Sequence, residues 1–227
     1  MNTLAKLIIA CSVISLLCLL LLHFLSPEFK PSWRMISEYA LGHYKPVLTA
    51  FFLIGSISSL LLPFLLWNET TSVWAKIGLV LVFLSGVGGC MGGLFDVKNP
   101  LHGVAFALGV PTLPVGALLI SYHLIKKGGW NQHSSGILFS GHSIWISIVL
   151  MAVSMVVMIN GFKQAGIPFG EGITPPASIP AGVIALAGYF NRLVVLCCSA
   201  WVIFMAKVYL SISQTDNKVE REAVTYL

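Results

Sequence analysis

Six apolar runs of about 20 residues, set apart by short polar breaks, leave this chain few folds to choose from. A helical run of that length covers the roughly 30 Å of a bilayer's hydrocarbon core. Inside hydrocarbon the backbone has to satisfy its own N–H and C=O groups, so each run is expected as a helix rather than as a strand with an open edge. The runs fall at about 7–25, 46–67, 74–94, 101–125, 136–160 and 183–209. The expected fold is an all-α, polytopic integral membrane six-helix bundle spanning residues 1–210, with 211–227 as a polar cytoplasmic tail whose end frays. The first run resembles a signal peptide in position. It is long, however, and no A-x-A-like cleavage site follows, so it is expected to stay as the first helix.

Composition agrees with that reading. Charged residues make up 9% of the 227 and hydrophobic ones 57%, where a soluble domain carries about 25% charged. The formal net charge of +5 comes from scattered Lys and Arg with no basic stripe, so nucleic acid is excluded as a partner and membrane lipid is expected instead. An even number of spans puts both termini on one side. Lys6, Lys76, Lys126, Lys127, Lys207, Lys218 and Arg221 then outnumber Lys30, Arg34, Lys45, Lys98 and Lys163 opposite them. That bias points to both termini in the cytoplasm. Cys11, Cys18, Cys90, Cys197 and Cys198 all lie within apolar runs, which suggests neither a disulfide framework nor a zinc site.

The outward loops are the more elaborate ones. Pro31 and Gly42 bracket a short helix in which Trp33, Ile36 and Ala40 share a stripe and Arg34 and Glu38 stand one turn apart. It is expected as an amphipathic segment, Trp33 to Leu41, lying in the interface over the bundle mouth. The last outward loop, Gly161 to Gly182, is rich in Gly and Pro and has the length of a lid or binding loop. In the third span Ser85, Gly89 and Gly93, and likewise Gly88 and Gly92, recur every four residues, the spacing that lets helices approach closely. Pro111 and Pro114 break the fourth span near its middle.

Four costly polar groups can be placed on the outward side. Asp96 and His102 occupy the short break between the third and fourth spans, where Asn99-Pro100 reads as a helix start with Asn as cap. An imidazole near a carboxylate is how a general base is built, so Asp96 and His102 are the candidate catalytic pair; structurally, Asp96 would only cap the loop. Arg192, beside Asn191, sits about nine residues into the last expected span, roughly 13 Å deep. An Arg at that depth needs a partner, and Glu38, Asp96 and Glu171 are the acids on its side. Glu38, Tyr39, Asn191 and Arg192 are the candidate ligand-binding residues; a purely structural ion pair competes with that reading.

Metal and haem chemistry are tested by spacing. Neither HxxxH nor HExxH occurs, and a set of Asp96, His102 and Glu38 or His43 is a poor substitute, so no metal is assigned. His102 and His123 would stand roughly 31 Å apart on one helix, unsuited to paired haems, and His142 reads as a hydrogen-bonded packing residue. No cofactor is identified.

Ser26-Pro27, the island Ser37-Glu38-Tyr39-Ala40-Leu41-Gly42, Phe95-Asp96, His102 and Asn191-Arg192 together resemble the bacterial and archaeal membrane family called domain of unknown function 998. The likeness runs over nearly the whole chain and implies a multi-pass protein of the prokaryotic plasma membrane with undefined activity. More distantly the chain is similar to the Frag1/DRAM/Sfk1 group, associated with membrane lipids. It is also comparable to the membrane hydrolases that include alkaline ceramidases, but lacks their paired-histidine spacing. The functional expectation is a site for a lipid headgroup or small anionic ligand, open outward. In it Arg192 attracts the anion, Glu38 and Asp96 position it, and His102 exchanges a proton. A lipid hydrolase using Asp96 and His102 and a proton-coupled transporter are the alternatives. The transporter rests on the broken fourth span alone, and no matched halves accompany it.

Overall fold

In the computed structural model every regular element is helical among the described residues, which are 2–167, 176 and 178–225, with side chains described as far as Thr215. The helices are α1 (Asn2–Leu25), α2 (Lys45–Leu66), α3 (Val73–Leu94), α4 (Leu101–Gly109), α5 (Thr112–Leu124), α6 (Ser134–Gln164) and α7 (Ala187–Thr225). α4 and α5 together make one crossing, so six stretches among the described residues are long and apolar enough to span a membrane. Short 3-10 turns occupy Ile36–Leu41 and Asn131–His133.

The expected spans locate these helices with two differences. Pro111 and Pro114 divide the fourth, because each removes a backbone donor to the preceding turn. The last helix begins at Ala187 rather than 183 and continues to Thr225, past the expected end at 209. Arg192 is therefore only the sixth residue of α7, roughly 8 Å from its start rather than 13 Å.

α1 packs on α2 and α7, α2 on α3, α3 on α4 and α5, α5 on α6, and α6 on α7, which closes a ring. The half-helix α4 departs from it. It lies on α3 and meets α5 at the break, with no comparable packing on α6 or α7, and Ala105 is its one buried residue. The small residues of α3 set these contacts. A Cβ added at Gly88 would stand 2.7 Å from Gly109 Cα and 2.8 Å from Ala105 O, both backbone atoms of α4. One added at Gly93 would meet Phe52 of α2 at 2.9 Å. Ser85 Oγ donates to Gly109 O at 2.7 Å, pinning α3 to the carbonyl at the α4–α5 break.

The main apolar core, around Leu62, Leu79, Ile120, Ile144 and Trp201, fills the end that carries the second and fourth loops. Two smaller clusters lie at the opposite, long-loop end. The first-loop segment packs down on the end of the bundle. Trp33, Ile36 and Tyr39 are all buried, Trp33 against Phe162 of α6 with ring centroids 6.0 Å apart. Tyr39, at i+3 from Ile36, takes the inward place expected of Ala40, as the tighter winding of a 3-10 turn dictates.

Candidate functional site

Arg192 organises the long-loop end. Its Nε donates to His23 Nε2 at 2.8 Å, and its Nη1 to Arg34 O at 2.7 Å and Gly188 O at 3.0 Å. Its Nη2 donates to Tyr39 Oη at 3.2 Å, and the guanidinium carbon stands 5.7 Å from the Tyr39 ring centre. His23 Nδ1 is 2.7 Å from Leu19 O. A carbonyl only accepts, so Nδ1 carries the hydrogen and Nε2 is left as the acceptor that Arg192 uses. The guanidinium thus ties α1, the first loop and α7 together. The approach is close because α7 carries Gly188 there: a Cβ on it would stand 2.8 Å from both Arg34 O and Trp33 N.

No acid among the described residues makes ion contact with Arg192. Glu38 is in ion contact with Arg34, one turn away as expected, and its other oxygen accepts from Met35 N at 3.1 Å. Burial pushes the Glu38 carboxyl above its usual range, against the pull of the Met35 amide, Arg34 and Arg192. Arg34 also lies over Trp33, 4.9 Å from its ring centre. Asp96 is engaged by Lys45 Nζ at 2.7 Å and by Lys98 N at 3.1 Å, and the Lys45 bond holds its carboxyl below the usual range. Glu171 lies outside the described residues, as does much of the last outward loop.

Asp96 and His102 are not joined by a hydrogen bond. Asn99 Oδ1 accepts from Leu101 N at 2.9 Å, the expected cap, which sets His102 in the first turn of α4. His102 Nδ1 meets Phe95 O at 2.9 Å and so carries the hydrogen, leaving Nε2 as an open acceptor. His43 stacks edge-on against Tyr44 with centroids 5.1 Å apart. Among the described residues no group of three His, Cys, Asp or Glu is arranged to hold a metal ion.

Beneath the first loop the ring surrounds a partly open cavity of about 260 Å³, just below the usual range of ligand pockets, about 300 to 1,000 Å³. Ser37, His102 and Asn191 line it at the long-loop end, and Ser58, Leu113 and Val202 at its foot. From Asn191 to Val202 it descends roughly 16 Å along α7. Ser12, Ser15, Ser56, Ser59, Ser85 and Ser199 line it between. Of the expected site residues, His102 and Asn191 face this space, while Glu38, Tyr39, Asp96 and Arg192 do not. Asn191 also anchors the first loop, its Oδ1 accepting from Ile36 N at 2.9 Å.

Sequence reasoning passed over His23, the serines and Lys45. The serines did leave a trace: Ser12 and Ser15, and Ser56 and Ser59, recur at helical spacing in otherwise apolar runs. At the other end of the bundle a further cluster stands apart, Glu69 Oε2 accepting from Lys127 Nζ at 3.0 Å and from the buried Trp130 Nε1 at 3.3 Å. His142 is hydrogen-bonded as expected, at 3.0 Å to Tyr122 Oη and 2.9 Å to Trp145 Nε1, on a partly exposed face between α5 and α6.

A ring of six apolar crossings among the described residues, with polar clusters at its two ends, is the architecture of a multi-pass membrane protein. Its sequence matches the family described as Protein of unknown function (DUF998) over residues 9–208, and the chain belongs to that family. The match extends no support to the Frag1/DRAM/Sfk1 likeness. Comparison with the curated proteins and with the solved structures finds no match.

Proposed function

We propose that this protein binds a membrane lipid, with the apolar chain in the cavity of the ring and the polar part at the long-loop end beside His102 and Asn191. The observation that carries this reading is the cavity itself, running from His102 and Asn191 to Val202 through a wall of serines, glycines and apolar side chains. Serines bonded to helix carbonyls line such a space without leaving buried groups unsatisfied. Arg192 holds the rim by fixing the first loop against α1 and α7. The open end is taken as outward, from the distribution of Lys and Arg.

A second reading, an anionic headgroup attracted by Arg192, is favoured by the absence of a carboxylate in contact with that guanidinium among the described residues. Hydrolysis by Asp96 and His102 loses support, because each is bonded elsewhere.

Purification in native lipid, followed by mass spectrometry of the retained lipid, tests both readings. A lipid enriched several-fold over the bulk membrane and lost in His102→Ala is the expected result. Loss in Arg192→Ala alone, with the variant still folded, favours the anionic headgroup. Retained lipid identical in composition to the bulk membrane contradicts both.

A further inference from the structure

The cavity wall specifies the class of its ligand and the side from which the ligand arrives. No Asp, Glu, Lys or Arg lines it. Arg192 is outside, with four bonds to protein groups. A phosphate drawn into this space would be a buried charge without a cation, which is strongly disfavoured. Uncharged groups meet a different wall. Ser15, Ser56, Ser58 and Ser85 give their hydrogens to backbone carbonyls and keep only lone pairs to offer. His102 Nε2 is a further acceptor at the top. Asn191 Nδ2, bonded at 3.4 Å to Met151 Sδ, has one hydrogen left. Ser12 is only 3% exposed and its residue lines the cavity, adding a further hydroxyl to the wall.

The ring is incomplete on one side. In the half of the bundle next to the long loops, α4 packs on α3, with no comparable packing on α6. Phe106 belongs both to the cavity wall and to the exposed surface, at 53% exposure. It stands roughly 8 Å along α4, inside the apolar stretch that makes the fourth crossing. On α6, the buried Met151 also lines the cavity.

We propose that the cavity takes an uncharged lipid alcohol, a diacylglycerol or other long-chain hydroxyl lipid, admitted sideways from the bilayer between α4 and α6, with its hydroxyl donating to His102 Nε2. This rests on the lipid-binding reading above and narrows it. The full chain is reconstituted in phosphatidylcholine vesicles with either of two probes, a diacylglycerol or a phosphatidic acid carrying the same diazirine-bearing acyl chain. After irradiation the adducts are mapped by mass spectrometry. Diacylglycerol adducts are expected on Phe106, Met151 and Ser199, at least fivefold above those of phosphatidic acid, with equal labelling of the exposed Phe139 by both probes. Ser12→Phe, which fills the cavity, should reduce the Met151 and Ser199 adducts at least fivefold and leave Phe139 unchanged. Equal labelling of Met151 and Ser199 by the two probes overturns the uncharged class while lipid binding stands. Adducts on Ser199 but on neither Phe106 nor Met151 overturn sideways admission. No adducts on the wall with either probe overturn this proposal and the lipid-binding reading together.

Discussion

Arg192 shows how a membrane protein keeps a guanidinium buried with no carboxylate in contact among the described residues. Two carbonyls, a phenol and a neutral imidazole take its hydrogens, and the planar fork suits partners on three different segments. Lysine has three donors on a single nitrogen and cannot reproduce that spread. Arg192→Lys is therefore expected to lower stability by about 1–3 kcal/mol, the cost of leaving buried partners unmet. Thermal unfolding in detergent measures it, and an unchanged midpoint would sink this account of the residue. Asp96 supplies a pH test. Its carboxyl is held below the usual range, so the Lys45 contact contributes stability above the unfolded value of 3.8 and loses it as pH falls through the lower folded value. The difference in unfolding midpoint between wild type and Asp96→Asn should be constant near neutrality and shrink below about pH 4. A difference that grows on acidification contradicts the assignment.

The apolar runs and the breaks between them were legible as helices because hydrocarbon permits so little else. Asn99-Pro100 as a helix start and the Arg34–Glu38 pair were legible for the same local reason, a fixed offset along one helical segment. Which partner each polar group takes was not. Asp96 goes to Lys45 and Arg192 to His23, contacts between segments far apart in the chain that no local period encodes. The glycines of α3 lie between these cases: their spacing announced close packing, and the fold assigns Gly88 to α4 and Gly93 to α2. Gly88→Ala is expected to cost about 1–3 kcal/mol, since the new methyl meets α4 backbone that cannot rotate away. Gly103→Ala, in the same half of the bundle, meets nothing within 4 Å. It should be neutral or raise stability by up to about 1 kcal/mol through helix propensity. Equal effects of the two substitutions on the unfolding midpoint would contradict the packing described here.

At the scale of the whole molecule, the ring closes everywhere except beside α4, and the prolines that divide the fourth crossing are what free that half-helix from the rest. The expected convergence of Glu38, Asp96, His102 and Arg192 on one site gives way to a division of labour. Arg192 and Asp96 brace the rim, while His102 and Asn191 face the space beneath it. The central claim is that this space holds a lipid. An electron cryo-microscopy map of the full chain in nanodiscs tests it most directly. The account predicts continuous elongated density from His102 and Asn191 down to Val202, with an arm leaving between Phe106 and Met151. A cavity that is collapsed, or that shows only separate water-sized peaks, would contradict it.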